Sequence, residues 1–328
     1  MKSVPFCHLH FHTEYSLLDS SCKVAEAVKT AKELGQEHLA ITDHGVLYGV
    51  IDFYKQARKA GIKPIIGCEV YIARNGMDEK TSQADNLHLV LLAEDNEGYN
   101  NLMHLVSLGH LEGFYYKPRI DKKILRQYSK GLIGLSACLK GEIAEACAEG
   151  AVDKAVVLAK EYAEILGVDN FFLEIQDHGI PEQRTANRHI IEVAKRTGLP
   201  LVATNDVHYI RQEHRDAHDV LICLQHGNLV SDPNRMSYSG SEFYLKSGAE
   251  MERLFPDHPE AIANTVEIAR RCNVEFNVDN PPLHFPTYAI PPEYKSQKDY
   301  LMATGIAGLK QLYPVDDLEN PKTEIEKR

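Results

Sequence analysis

The 328 residues, 44% hydrophobic and 25% charged, suffice for one large α/β domain with an appendage or for two ordinary domains, and this mix excludes a disordered chain. A net charge of -11, from 47 acidic against 36 basic residues, excludes a broad basic face gripping nucleic acid, although bound divalent ions would reverse the sign locally. Apolar runs such as 89–93 are too short to span a bilayer, the N-terminus lacks the apolar stretch of a secretory signal, and the seven cysteines form no CxxC pair, so a cytoplasmic chain with reduced thiols and no membrane partner is expected.

The chain opens with HLHFHTEYSLLDS, residues 8–20. An extended strand there puts His8, His10 and His12 on one face and Leu9 and Phe11 on the other. Short apolar runs follow at 39–42, 64–73, 88–93, 132–136, 171–175 and 199–204, which with 6–11 makes seven candidate strands. Between them lie helix-like stretches at 24–35, 49–61, 151–167 and 181–198. Repeated βα units with near-continuous apolar strands predict a parallel sheet covered on both sides. Seven units favour a barrel over an open doubly wound sheet, and no GxGxxG follows the first strand. Composition shifts near residue 277, where five prolines between Pro281 and Pro292 read as an extended linker. One helix over 299–314 and a charged tail at 315–328 complete the chain. The expected division is a barrel domain over 1–276, then a linker and the beginning of a following region over 277–328.

Chemistry-bearing residues collect at the ends of these runs. His44 lies in ITDHG, Glu69 in GCE, His88 at the start of LHLVLL, Cys138 in SACLKGE, and Asp206 and His208 in ATNDVHY. Each has an ordinary explanation taken singly: a hydrogen-bonded core histidine, a small buried thiol, a helix-capping carboxylate at Asp43 or Asp206. Their joint arrival at strand ends of one βα series is the stronger observation, because barrels of this type gather functional groups there. Imidazole and thiolate suit zinc, and a carboxylate can bridge two ions.

HLHFHTEYSLLDS, ITDHGVLYGVIDFYKQARKAGIKPIIGCEVYIA, GFYYKPRID, LSACLKGEI and TNDVHY together resemble the PHP (polymerase and histidinol phosphatase) domain at the N-terminus of bacterial DNA polymerase III alpha subunits. The resemblance covers about residues 4–276 and implies a distorted seven-stranded βα barrel. It also implies three divalent ions, Zn2+ or Mn2+ with Fe2+ or Mg2+ as alternatives, on nine ligands. Matched motif by motif, His10, His12, Glu69 and Asp206 hold one ion; Glu69, His88 and Cys138 a second; Asp19, His44 and His208 the third. His8 then falls outside the ligand set, and Asp43 is a candidate to orient a ligand imidazole. Three such ions carry about +6 against about -4 from Asp19, Glu69, Asp206 and a Cys138 thiolate, leaving roughly +2 for a phosphate.

The implied activity is metal-dependent phosphoester hydrolysis, a 3′ to 5′ exonuclease acting on the DNA primer end during replication, with Glu69, His12 and Asp206 carrying the chemistry. Lys117 and Arg119 are candidates to pair with substrate phosphate, and Tyr115 and Tyr116 to stack a base. Two other readings share these residues: a metal-stabilised scaffold docking the polymerase domains or a proofreading subunit, and a phosphatase for a small phosphomonoester. No DxD motif occurs after residue 208, so no polymerase activity is expected of this chain.

Overall fold

The computed structural model describes residues 4–81, 86–238 and 240–313. Its described strands are β1 (His38–Ile41), β2 (Lys63–Ile72), β3 (Leu87–Ala93), β4 (Arg119–Ile120), β5 (Leu132–Leu135), β6 (Phe171–Ile175) and β7 (Leu201–Ala203). They pair in the order β1-β2-β3-β5-β6-β7, and the two-residue β4 adds to β2 off this path. The segment around residues 8–12 makes only isolated bridges, His8 to Leu39 and Phe11 to Val207, but these join it to both ends of the path. Backbone bonds from Ala40 N to His8 O (3.0 Å) and from His12 N to Val207 O (3.0 Å) complete the connection. The sheet is thus a distorted seven-membered α/β barrel, its members the seven apolar runs.

One expectation about direction is corrected. β1–β2, β5–β6 and β6–β7 are parallel, whereas β3 runs antiparallel to both β2 and β5. Near-continuous apolar strands are equally compatible with either direction, because burial on both faces removes the alternation that marks orientation. Gly67 permits the close β2–β3 approach: a Cβ there would meet Leu91 O at 2.6 Å.

Alternate positions along each strand face the ring interior. Leu9, Ala40, Ile65, Val90, Leu92, Ile133, Leu135, Phe172 and Val202 form one apolar cluster inside, closed by Ile268 and Ala269 of the helix Pro259–Arg271. The opposite faces, including Cys68, Val70, Leu89, Leu91, Leu173 and Ala203, pack against the helices. Helices Val50–Ala60 and Pro181–Thr197 end at Gly61 and Gly198, both left-handed at φ 76°.

By contact, the chain divides into Met1–Phe276 and Asn277–Arg328. Within the second unit the helix Gln297–Leu312 is capped by the Ser296 side chain and buries none of its residues. The charged tail at 315–328 lies outside the described residues. Among those described, no helix is long and apolar enough to cross a membrane.

Candidate metal centre at the barrel rim

Continuing each inward row beyond the apolar cluster leads to the chemistry. On β2 the row runs Ile65, Gly67, Glu69; after β1 it runs Ala40, Thr42, His44; after β7 it runs Val202, Thr204, Asp206. β3 supplies the same layer in reverse, Leu92, Val90, His88, and this antiparallel run is why the start of that strand reaches the rim shared by the ends of the others. Among the described residues, three of the four non-glycine residues with positive φ flank or belong to the site: Leu18 (59°) before Asp19, Ala137 (63°) before Cys138, and Asp206 itself (42°). Such backbone strain persists only where surrounding contacts over-determine it.

The structure brings all nine predicted ligand positions into one connected cluster. Asp206 Oδ1 is 3.2 Å from both His10 Nε2 and His12 Nε2. Glu69 lies 3.4 Å from His10 Nε2, 3.3 Å from His12 Nε2, and 2.8 Å from both His44 Nδ1 and His88 Nδ1. Asp19 Oδ2 is 2.8 Å from His44 Nε2 and 3.2 Å from His208 Nε2. Cys138 Sγ is 3.6 Å from His88 Nδ1. Donor atoms converge within 4.8 Å of one another in His12/His44/His208, in His10/His12/Glu69 and in His44/Glu69/His88.

Hydrogen bonds behind the rings fix what each presents. His10 Nδ1 is 2.7 Å from Glu174 Oε1, and His208 Nδ1 is 2.8 Å from the Asp206 carbonyl; both oxygens only accept, so Nδ1 carries the proton. Ser16 Oγ donates to Asp43 Oδ1 (2.7 Å) and receives His12 Nδ1 at 3.3 Å, with the same outcome. The Nε2 lone pairs of neutral rings would then face carboxylates. His10 Nε2, His12 Nε2, His44 Nδ1, Glu69 Oε2 and Asp206 Oδ1 are all buried without a hydrogen-bond partner in the protein. Each such orphan costs about 1–3 kcal/mol. Converging imidazole lone pairs and carboxylates fit divalent cations, which would accept all of them.

Charge without ions is strongly polarised. Burial opposes the positive form of His10, but Asp206, Glu174 and Glu69 together raise its imidazole well above the usual range. His44 rises to about 10, burial being outweighed by Glu69 and Asp19. Burial likewise opposes ionisation of Glu69, yet His88, His10 and His44 hold its carboxyl well below the usual range. Burial, with Asp206 and Glu69, pushes the Cys138 thiol well up, so a thiolate here needs a cation's charge beside it.

The other predicted residues are placed differently. His8 does not share a face with His10 and His12. Cys7 and Leu9 belong to the inner cluster while His8 Nε2 reaches the Lys246 carbonyl at 2.8 Å, and the backbone bends at His10, which breaks strict alternation. Asp43 accepts from Thr13 N (2.6 Å), Thr13 Oγ1 (2.7 Å) and Ser16 Oγ, so its influence on His12 passes through Ser16. Arg119 is buried, donating to the carbonyls of Gly113 (3.2 Å), Met77 (3.4 Å) and Glu79 (2.6 Å), so it braces the loop instead of meeting substrate. Lys117 is exposed, its ammonium 5.4 Å from the centre of the Tyr71 ring, which stacks on His44. Tyr115 packs edge-on against Tyr116, whose ring is largely exposed.

Glu174 went unpredicted, although a lone carboxylate inside FFLEI was its signal. Tyr238, with its hydroxyl 3.3 Å from His208 Nε2, carried none.

The PHP domain profile matches residues 8–178. The chain belongs to the PHP domain family. This PHP chain is 45% identical over 318 residues to the DNA polymerase III subunit alpha of Treponema pallidum, covering 96% of this chain and 27% of that protein. It is 43% identical over 313 residues to the subunit of the same name from Borreliella burgdorferi, covering 94% and 27%, and 43% identical over 323 residues to that of Thermus aquaticus, covering 95% and 26%. The chain therefore spans about a quarter of the length of these relatives.

Proposed function

We propose that this chain is the N-terminal PHP portion of a cytoplasmic DNA polymerase III alpha subunit. Its rim would hold three divalent ions, Zn2+ or Mn2+ before Fe2+ or Mg2+, and hydrolyse phosphoesters as a 3′ to 5′ exonuclease on the primer end. The observation that carries this reading is the set of five buried, unpartnered nitrogen and oxygen atoms aimed at one another in the ring mouth. The relatives named as polymerase subunits support DNA as the phosphoester. Residues 277–328 would be the linker and the start of the next polymerase region, with the remaining polymerase domains and a proofreading subunit as partners.

Contacts within each proposed ligand set support this reading, and Glu69, 2.8 Å from His44 Nδ1, links the sets. Asp206 sits with His10 and His12, Glu69 with His88 and Cys138, and Asp19 with His44 and His208. Bound ions at such a site supply Lewis acidity and a water nucleophile at neutral pH. The protein's part is to fix the donors: Glu174 orients His10, Ser16 and Asp43 orient His12, and the Asp206 carbonyl orients His208. Exposed Lys117, beside Tyr71, would pair with a substrate phosphate.

The test is hydrolysis of a 3′-mismatched primer with Zn2+ or Mn2+, before and after chelation. Activity that disappears with chelator and in folded His12→Ala and Asp206→Ala variants supports the proposal; variants with unchanged nuclease activity refute it. Faster turnover of p-nitrophenyl phosphate than of oligonucleotides would favour a small-molecule phosphatase.

A further inference from the structure

The opening motif contains one imidazole that the metal centre does not use, and the surroundings of His8 give it a purpose. His8 Nε2 and Gln36 Nε2 both meet the Lys246 carbonyl, at 2.8 and 3.0 Å. The Lys246 side chain is only 2% exposed, and its ammonium reaches back to Asn205 Oδ1 at 3.3 Å. It also contacts Glu242 Oε2 (3.1 Å) and the Glu242 carbonyl, and lies 4.2 Å from the centre of the Tyr244 ring. A lysine is seldom fully buried unless such partners hold its charge.

Asn205 is the residue on which these contacts converge. Its Nδ2 donates to the carbonyls of Glu242 and Tyr244, both at 2.8 Å. Its own carbonyl lies 2.9 Å from His178 Nε2, and His178 Nδ1 takes Gln183 Nε2 at 2.7 Å, so Nε2 carries the proton it donates. Both polar groups of the Asn205 side chain and its carbonyl are therefore held by partners within the protein. The next residue is Asp206, held at φ 42° with its carboxylate between His10 and His12.

We infer that His8, Lys246 and Asn205 form a buried polar strut that ties the segment bearing His10 and His12 to the turn bearing Asp206, and so sets the fit of the cation position these three share with Glu69. They are positioning residues, and none touches substrate. The inference rests on the metal reading above.

Zinc binding to the whole chain, followed by competition with a chromophoric chelator, tests it. Lys246→Met should weaken one zinc equivalent about 10- to 100-fold while leaving the others near their wild-type affinity. Lys246→Arg, which keeps a buried cation, should restore most of the loss; a merely structural defect would weaken all equivalents together and show no such rescue. If Lys246→Met does not fold, Asn205→Ala is the deciding variant, with the same selective loss expected. A folded variant with all equivalents at wild-type affinity, or with uniform weakening, overturns the strut. Wild-type chain that takes up no zinc or manganese overturns the metal reading itself.

Discussion

Glu174 Oε1 holds His10 Nδ1 at 2.7 Å, and this bond turns the opposite ring nitrogen toward Asp206 and Glu69. Gln176 Nε2 (2.8 Å) and the Thr204 hydroxyl also donate to Glu174, so the carboxylate is fixed before it fixes the imidazole. Glu174→Ala should weaken zinc binding by about 10- to 100-fold, and Glu174→Gln, which keeps an acceptor, by less. Chelator competition measures both; equal affinities for wild type and Glu174→Ala would remove Glu174 from any role at the centre.

Without ions, stability should decline as pH rises above about 6.5. Carboxylates raise His10, His44 and His208 above their unfolded value, so their contribution is complete below about 6.5 and disappears as pH climbs through the folded value, about 10 for His44. Asp19, Glu69 and Asp206 are held below the usual carboxylate range, and their contribution is lost on acidification below about pH 4. Ions compete with protons for the same nitrogens, so zinc affinity rises with pH. Thermal melts from about pH 6.5 to 9 should show the chelated protein weakening while the stabilisation added by zinc grows; parallel curves would contradict this.

Cys138 is the one sulfur among nine oxygen- and nitrogen-rich positions. Zinc favours thiolate, and manganese favours oxygen. Cys138→Ser should therefore lower zinc affinity while sparing manganese, shifting the metal that best supports hydrolysis toward Mn2+. Unchanged metal preference would place Cys138 outside the coordination.

Lys117 and Arg119, two apart in sequence, should respond oppositely to substitution. Arg119→Met strips three carbonyls of their donor, two of them buried, and should cost about 3 kcal/mol of stability, seen in denaturant melts. Lys117→Ala should leave the melt unchanged and raise KM for an oligonucleotide several-fold. A stable Arg119→Met protein with raised KM would reverse the assignment.

The clustering of His10, His12, His44, Glu69, Asp206 and His208 was legible because HxH, DHG, GCE and DxH are local patterns at the ends of strands. Orientation of β3 was not legible, since LHLVLLA is buried on both sides and reads the same in either direction. Nor was the fate of Arg119 within KPRID: loop composition says nothing about whether a guanidinium meets solvent or backbone carbonyls. His8 failed for a related reason, because alternation holds only while the strand stays regular and a bend intervenes at His10. Glu174 was hidden in a strand read for its hydrophobicity alone.

Ring closure by the segment around residues 8–12 also governs assembly. That segment must find Leu39 on one side and Val207 on the other, and Asp19 meets His208 across 189 positions of chain. Loop closure of this length is slow and yields little until it is finished. On the proposed metal reading, a nascent chain lacking residues 206–208 would offer a cation only part of its cage, so metallation would follow folding of the barrel, and a captured ion would lock the completed ring.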